Sequence, residues 1–513
     1  MRLKWLFTSG LLALLLPMAA MAASLGLLAP VVEQGAPLTR PDASGRPVPV
    51  VTRVDAGPLH DALQREASEG FTATMLALDA QAQQLAGASS PAPTWLYLSA
   101  EDGGFARRGF WLREDGGERY LDEPFVDLVV DADSVADGSF EEIFAHELGH
   151  VFLRRLLPGL PKGHSTTPHH AYTLTDYPTA FDEGFAIHFQ LLARRLTRNA
   201  ALAAQDQGFD TRPYLPHWQS NRDRTLRIDG VRRNLFVHAQ RPFEGGGDAL
   251  ARETLSPEFA AARLRNGQQM LSSEGVVATL FHRWIGPVTE AGVVAAYTPW
   301  FEVFMALQRR ELRPDSPLPT LLLRVLHSRD PQAGGRAIGL FVDTTYGATM
   351  DPSMALRAGA LAEAGASGNV EAFVGQLGPA REALSALRTR ARQEPASLDA
   401  ALGPGLWLLS EGEPALAVNL NTAGAAELQA LGLPAPAAAR LLGSREARGA
   451  FHDIPDVVAR GQLDTVAAVA LHARAAAQAA AGARARPRAP CLRPAPAGAP
   501  TAPAGRPRGG WRR

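Results

Sequence analysis

Cysteine is nearly absent: the 513 residues contain one, Cys491, close to the C-terminus. A lone thiol cannot close an internal disulfide, so the fold must be held by its apolar core and by any metal it binds. Cys491 also lies far beyond the position at which an exported chain is lipidated, which excludes that anchor. Long apolar runs are missing after the first 22 residues: no later stretch reaches 18 uninterrupted apolar positions, which excludes a membrane-spanning helix in the mature chain. A formal net charge of -1 excludes a global bias toward nucleic acid or anionic membrane. What is plentiful is core material, 46% hydrophobic against 20% charged residues, enough for two or three domains.

The chain opens with the layout of a targeting segment. Met1-Arg2-Leu3-Lys4 is basic, Leu6 to Met18 is almost wholly apolar, and Ala20-Met21-Ala22 offers the small-x-small pattern of a cleavage site. An uncleaved anchor is the rival reading, but Ser9-Gly10 and Pro17 interrupt a run already short for a span. Residues 1–22 are therefore read as a signal peptide, and the mature chain as periplasmic or secreted.

Texture divides the rest. Residues 23–93 read as a Pro- and Gly-rich extended lead-in followed, over 58–87, by one or two amphipathic helices. From 94 to 132 the pattern turns to strands at Thr94–Leu98, Gly109–Leu112 and Phe125–Val130. Ser139 with Glu142 has the spacing of a capping box and introduces a helix with apolar residues Ile143, Phe144, Leu148, Val151 and Phe152. A His-, Thr- and Pro-rich loop (161–178) and a second helix from about Thr179 to Leu196 follow. These elements make 94–200 the expected catalytic core of an α+β fold, with 201–395 a mostly helical domain closing the cleft, 418–480 a small Ala-rich helical module, and 482–513 a disordered tail. That tail has eight arginines and no acidic residue.

The chemistry concentrates in His146-Glu147-Leu148-Gly149-His150. Residues four apart share a helix face, so both imidazoles can turn to one ion. Glu147, one step round, can reach a water on that ion without ligating it. Three protein ligands leave a fourth position for water and lower its pKa toward ~7, and Glu147 could take that water's proton. HExxH alone arises often by chance, but here it sits inside an amphipathic helix that follows a strand. Gly149 in a helix interior costs up to ~1 kcal/mol relative to Ala, which suggests a close approach of backbone to substrate or metal.

The third ligand separates families. Leu153 and Leu156 stand where HExxHxxGxxH would need Gly and His, which excludes that class. The better candidate stretch is Phe181-Asp182-Glu183-Gly184-Phe185-Ala186 on the second helix; Glu274-Gly275-Val276-Val277-Ala278 is a similar stretch, and Glu274 a rival ligand. Gly184 and Ala186 would let the second helix pack closely on the first. His188, five residues beyond Glu183, points off its face and reads as a core or surface histidine. His164, His169 and His170 lie in a loop where substrate contact, weak metal binding and solvation are all open, solvation being favoured. Tyr297, Tyr346 and His282 qualify by type alone as oxyanion donors, and none is assigned.

These motifs resemble the gluzincin metallopeptidases, in which a glutamate on a helix after HExxH completes a zinc site, often as Glu-Gly-x-Ala. The resemblance covers about residues 94–196. It implies one zinc per chain held by His146, His150 and Glu183, with Glu147 as catalytic base. It also implies a peptide or protein substrate and a thermolysin-like core whose edge strand, 125–130, lines the cleft. Several gluzincins carry an Asp four residues after the ligand; here that position is Ile187, leaving Asp182 or Asp176 to support a histidine.

Val418-Asn419-Leu420-Asn421-Thr422-Ala423, with Arg445-Glu446, Gly449-Ala450-Phe451 and Ile454-Pro455-Asp456-Val457, resembles a helix-hairpin-helix module of the bacterial competence DNA-receptor kind. Its phosphate-binding hairpin would be Gly432-Leu433-Pro434, and proline has no N–H to offer. Five arginines are balanced by five acidic residues between 418 and 480. A protein-docking or structural role is expected, with nucleic-acid binding the lesser alternative. The rival to the enzyme reading is thus an exported binding protein that uses residues 418–513, for DNA or a protein partner, with a structural or incidental metal.

Overall fold

Apolar alternation in the first hundred residues builds a sheet larger than its sequence pattern announces. The computed structural model describes residues 24–101, 103–164, 171–207, 230–232, 234–238, 264–410 and 415–483; the expected signal peptide and basic tail lie outside them, as do His169 and His170. The first strand, β1 (Leu25–Pro30), is followed by a small hairpin, β2 (Val32–Glu33) and β3 (Ala36–Pro37). β4 (Thr39–Pro41) and β5 (Pro47–Arg53) form a second hairpin. After helices α1 (Pro58–Ser68) and α2 (Gly70–Leu85) come β6 (Thr94–Leu98), β7 (Gly104–Glu114) and β8 (Gly117–Leu128). The sheet runs β1-β6-β8-β7-β5-β4, and β1 also pairs with β5, so five strands close on themselves.

Two expectations are corrected here. The lead-in is not separate: β1 pairs in parallel with β6, Leu25 opposite Thr94, so the division at 93/94 cuts through one sheet. Strand 125–130 is not an edge either. It ends at Leu128 and lies between β6 and β7. The open edge belongs to the start of β7, which pairs with β5 only through Trp111 and Leu112 and has β8 alone beside residues 104–108. Long-range pairing set both outcomes, and no local pattern encodes it.

Alternation explains how the sheet serves two cores. Leu28, Val51, Trp95, Tyr97, Phe110, Leu112 and Phe125 pack together on one face, with Trp95 and Phe125 edge-on to Phe110 at 5.8 and 5.6 Å. Their neighbours Leu27, Leu96, Val126 and Leu128 face the helices and join the main core.

Helix α3 (Ala132–Ala136) leads into α4 (Ser139–Leu156), which carries the HExxH residues. The expected Ser139/Glu142 capping box does not form. Gly138 takes the N-cap with φ +79, Asp137 accepts from the Ser139 N–H at 2.8 Å, and Ser139 becomes the first helical residue. The capping box lies one element earlier, between Asp131 and Ser134. Helix α5 (Tyr177–Leu196) begins at Asp176, whose side chain accepts from the Thr179 N–H. Sixteen of its 20 residues are buried, which makes it the central helix of the molecule. Helix α6 (Ala200–Gln207) follows.

A third helix, Glu274–Ile285, lies along α5, and helices 293–307, 318–329 and 331–344 complete the same core. Residues 353–366 and 370–393 form a long antiparallel helical pair. The C-terminal module has its own apolar cluster, from Leu408 to Leu471, and begins earlier than expected: strand 407–409 pairs with 417–419 ahead of its four helices. The class is α+β, as its mixture of sheet and helices requires.

Candidate metal centre

Helix periodicity brings His146 and His150 to one face of α4, and the packing of α5 brings Glu183 to meet them. His146 Nε2 and His150 Nε2 are 3.3 Å apart, and Glu183 Oε2 lies 3.5 and 3.7 Å from them. Three atoms bound to one ion at about 2.0–2.2 Å with near-tetrahedral angles would stand roughly 3.3–3.5 Å apart. The triangle fits. These residues form a group that could hold a metal ion; Glu274, the rival, is not in it. It is buried at the head of the third helix, where its carbonyl, not its carboxylate, faces Gly184.

Hydrogen bonds from the back of each ring explain the aim. His150 Nδ1 donates to Asp182 Oδ1 at 2.6 Å, and His146 Nδ1 donates to Gln190 Oε1 at 3.1 Å. With each Nδ1 carrying the proton, both neutral rings direct an Nε2 lone pair at the same point, beside a carboxylate. Such a set repels itself unless a cation or proton sits there. Burial disfavours a charged His150, yet Asp182 and Glu183 outweigh it and raise its pKa to about 9. Desolvation likewise works against the Asp182 carboxylate, but the imidazole beside it wins and holds its pKa below the usual range.

Of the two supporting aspartates left open by the sequence, Asp182 takes the role and Asp176 serves as the α5 N-cap. Ile187 is packed in a separate apolar cluster with Leu191 and Phe236. Gln190 escaped the sequence reading. Its signal was present: it lies seven residues, two helical turns, beyond Glu183 and so shares its face.

Glu147 is buried beside the triangle but outside it. Desolvation raises its pKa, and Oε2 has no hydrogen-bond partner among the described residues. The carboxylate rests against the start of β7: a Cβ on Gly104 would fall 2.6 Å from Oε1. A buried carboxylate with one oxygen unengaged is of the type that can take a proton from a nearby water.

Close helix packing fixes the distances. A Cβ on Gly149 would stand 3.1 Å from Ala186 Cα and 2.9 Å from Phe189 Cδ2, so Gly149 serves the approach of α5, not of substrate or metal. Gly184 makes a different contact from the one expected. Its Cβ would meet Glu274 O and Val277 Cβ at 2.6 Å, so it seats the third helix and only Ala186 faces α4. A buried Arg194–Glu142 pair at 3.1 Å ties α4 to α5, with Glu142 one turn before His146.

The remaining candidates lie elsewhere. Tyr297 is buried in the core, its ring stacked on Phe189 at 5.1 Å, and its hydroxyl has no partner among the described residues. His188 is buried beside it, neither ring nitrogen bonded, and desolvation lowers its pKa. His282 neighbours His188, and Tyr346, with φ +49, packs against the cluster around Phe236. His164 packs on Trp407 of the C-terminal module, ring centroids 5.2 Å apart.

In that module Gly432 takes φ +84, Leu433 enters the core, and Pro434 caps helix 435–448, whose second residue is Pro436. Two prolines therefore remove N–H donors at the helix start. Arg440, Arg445, Arg460 and Arg474 donate to main-chain carbonyls of the module itself. Carbonyls of Asn421 and Thr422 accept from Asn266 and Gln269 of the body. The Asn421-Thr422 segment is thus turned toward the body, while Gly432 and Pro434 of the hairpin are exposed. No helix among the described residues is long and apolar enough to cross a membrane.

No protein-family model, curated protein or solved structure matches the chain.

Proposed function

We propose that the chain is an exported zinc-dependent metallopeptidase of the gluzincin type, with a thermolysin-like catalytic centre. The observation that carries the reading is the triangle of His146, His150 and Glu183 with a fourth group, Glu147, buried beside it and outside it. A set of two imidazoles and one carboxylate suits zinc, which would supply Lewis acidity and an acidified water. His146 and His150 present neutral Nε2 atoms because Gln190 and Asp182 hold their Nδ1 protons. Glu147 would accept the proton of the attacking water and return it to the leaving amine; its raised pKa brings it closer to neutrality, where a base can also act as the acid. The buried Arg194–Glu142 pair and the Gly149–Ala186 approach keep the two ligand-bearing helices in place.

The deciding experiment measures zinc content and peptide hydrolysis of the mature protein and three variants. Wild type should carry one zinc per chain. Glu183→Ala should lose it, while Glu274→Ala and Glu147→Gln keep it. Glu147→Gln should lose hydrolysis by 10²-fold or more. Zinc that is bound while wild type and Glu147→Gln are equally inert would replace the enzyme with the binding-protein reading.

A further inference from the structure

The arginines around the centre are almost all spoken for. Arg107 pairs with Asp127 and Glu101, Arg108 with Asp122, Arg155 with Asp79 and Glu123, and Arg194 with Glu142. Arg154 is the exception. It is four residues beyond His150, on the face of α4 that carries both histidines. It has no carboxylate within ion-pair range among the described residues. Its one hydrogen bond runs from Nη1 to the carbonyl of Ala106 on the open edge of β7.

That bond fixes a cation relative to the chemistry. Gly104, two residues before Ala106, lies against the Glu147 carboxylate, and two residues of strand span about 6.7 Å. The guanidinium is therefore held roughly one or two residues of extended chain from the base. It is partly exposed, with donors left after the Ala106 bond. The same contact ties the side chain to the strand that borders Glu147.

Resting on the metallopeptidase reading, we propose that Arg154 is a specificity residue that binds a carboxylate of the substrate one or two residues from the scissile bond. A planar fork of donors suits a carboxylate, which it can grip with two parallel bonds. The carboxylate is either a chain terminus or an Asp or Glu side chain.

The test titrates the zinc-loaded full chain with glutarate and with its monoamide, one carboxylate for the ion and the second group for Arg154. Wild type should bind glutarate about tenfold more tightly. Arg154→Met should lose that preference while keeping its zinc and its affinity for the monoamide, and Arg154→Lys should restore part of it. No preference in wild type, or one that survives in Arg154→Met, overturns the inference and leaves the zinc site standing. Absence of zinc from the wild type overturns the underlying reading as well. Matched peptides then separate the two sources. Cleavage that falls on C-terminal amidation assigns the terminal carboxylate, whereas cleavage indifferent to amidation but dependent on a nearby Asp or Glu assigns the side chain. Indifference to both overturns the proposal.

Discussion

Gly149→Ala and Gly184→Ala change the same atom count one helix face apart, and their effects should dissociate. In an exposed helix either change would add up to about 1 kcal/mol of stability through helix propensity. Here crowding opposes that gain. At Gly149 the new methyl would stand 3.1 Å from Ala186 Cα and 2.9 Å from Phe189 Cδ2, so α4 and α5 must part by a few tenths of an ångström to reach ordinary contact at 3.4 Å. Overpacking of this size costs about 1–3 kcal/mol, so the net loss should be about 0–2 kcal/mol. The separation also stretches the edges from Glu183 to the two histidines, already 3.5 and 3.7 Å, and zinc affinity should fall about tenfold. At Gly184 a main-chain carbonyl at 2.6 Å must retreat by about 0.8 Å, which should cost the upper part of that range. That strain lies between α5 and the third helix, so zinc affinity should change less than threefold. Gly443→Ala, with nothing within 4 Å of its new methyl, should gain up to about 1 kcal/mol and calibrates the propensity gain. Chelator competition gives zinc affinity, and denaturant unfolding of the metal-free protein gives stability. If Gly184→Ala weakened zinc more than Gly149→Ala, the packing account of the site would be wrong.

Two further outcomes follow from neighbouring groups. Asp182→Asn should weaken zinc about 10–100-fold and Gln190→Ala about tenfold or less, because an anionic acceptor at 2.6 Å supports its histidine more strongly than an amide at 3.1 Å; equal losses would remove that distinction. Glu141 is buried with its pKa pushed up to about 7 by desolvation, opposed by one bond from Thr197. A raised carboxyl pKa means stability that is complete below pH 4.5 and lost as pH rises through about 7. Glu141→Gln should therefore stabilise the protein by about 2–3 kcal/mol at pH 8 and by almost nothing at pH 4.5, and a gain independent of pH would refute it.

Local spacing determined the centre of this protein in advance. Residues four apart share a helix face whatever the rest of the chain does, so His146 and His150 could be placed together from their interval. Glu183 was legible only through the resemblance of its Glu-Gly-x-Ala stretch to the gluzincins, but once it is placed, helical spacing puts Gln190, two turns on, on the same face. The halting proline at Pro434 was equally local, since a missing N–H is a covalent fact.

Where contact depended on distant chain, sequence left choices that only tertiary structure closed. Asp176 and Asp182 are equally suited by type to hold a histidine, and the rotation of α5 against α4 assigns one to the cap and the other to His150. Gly184 and Ala186 announce a close approach of α5 to α4, and Gly149 one of backbone to substrate or metal; the structure gives Gly149 and Ala186 to the α4–α5 contact and Gly184 to the third helix. Residues 25–53 read as lead-in because their pairing partners lie tens of residues away, and closure of β1 on β5 and β6 made them sheet. The open edge of the sheet moved for the same reason, from residues 125–130 to the start of β7. Side-chain chemistry and helical period are written into a short stretch of sequence, whereas strand order and helix rotation are settled by burial of apolar surface across the whole chain.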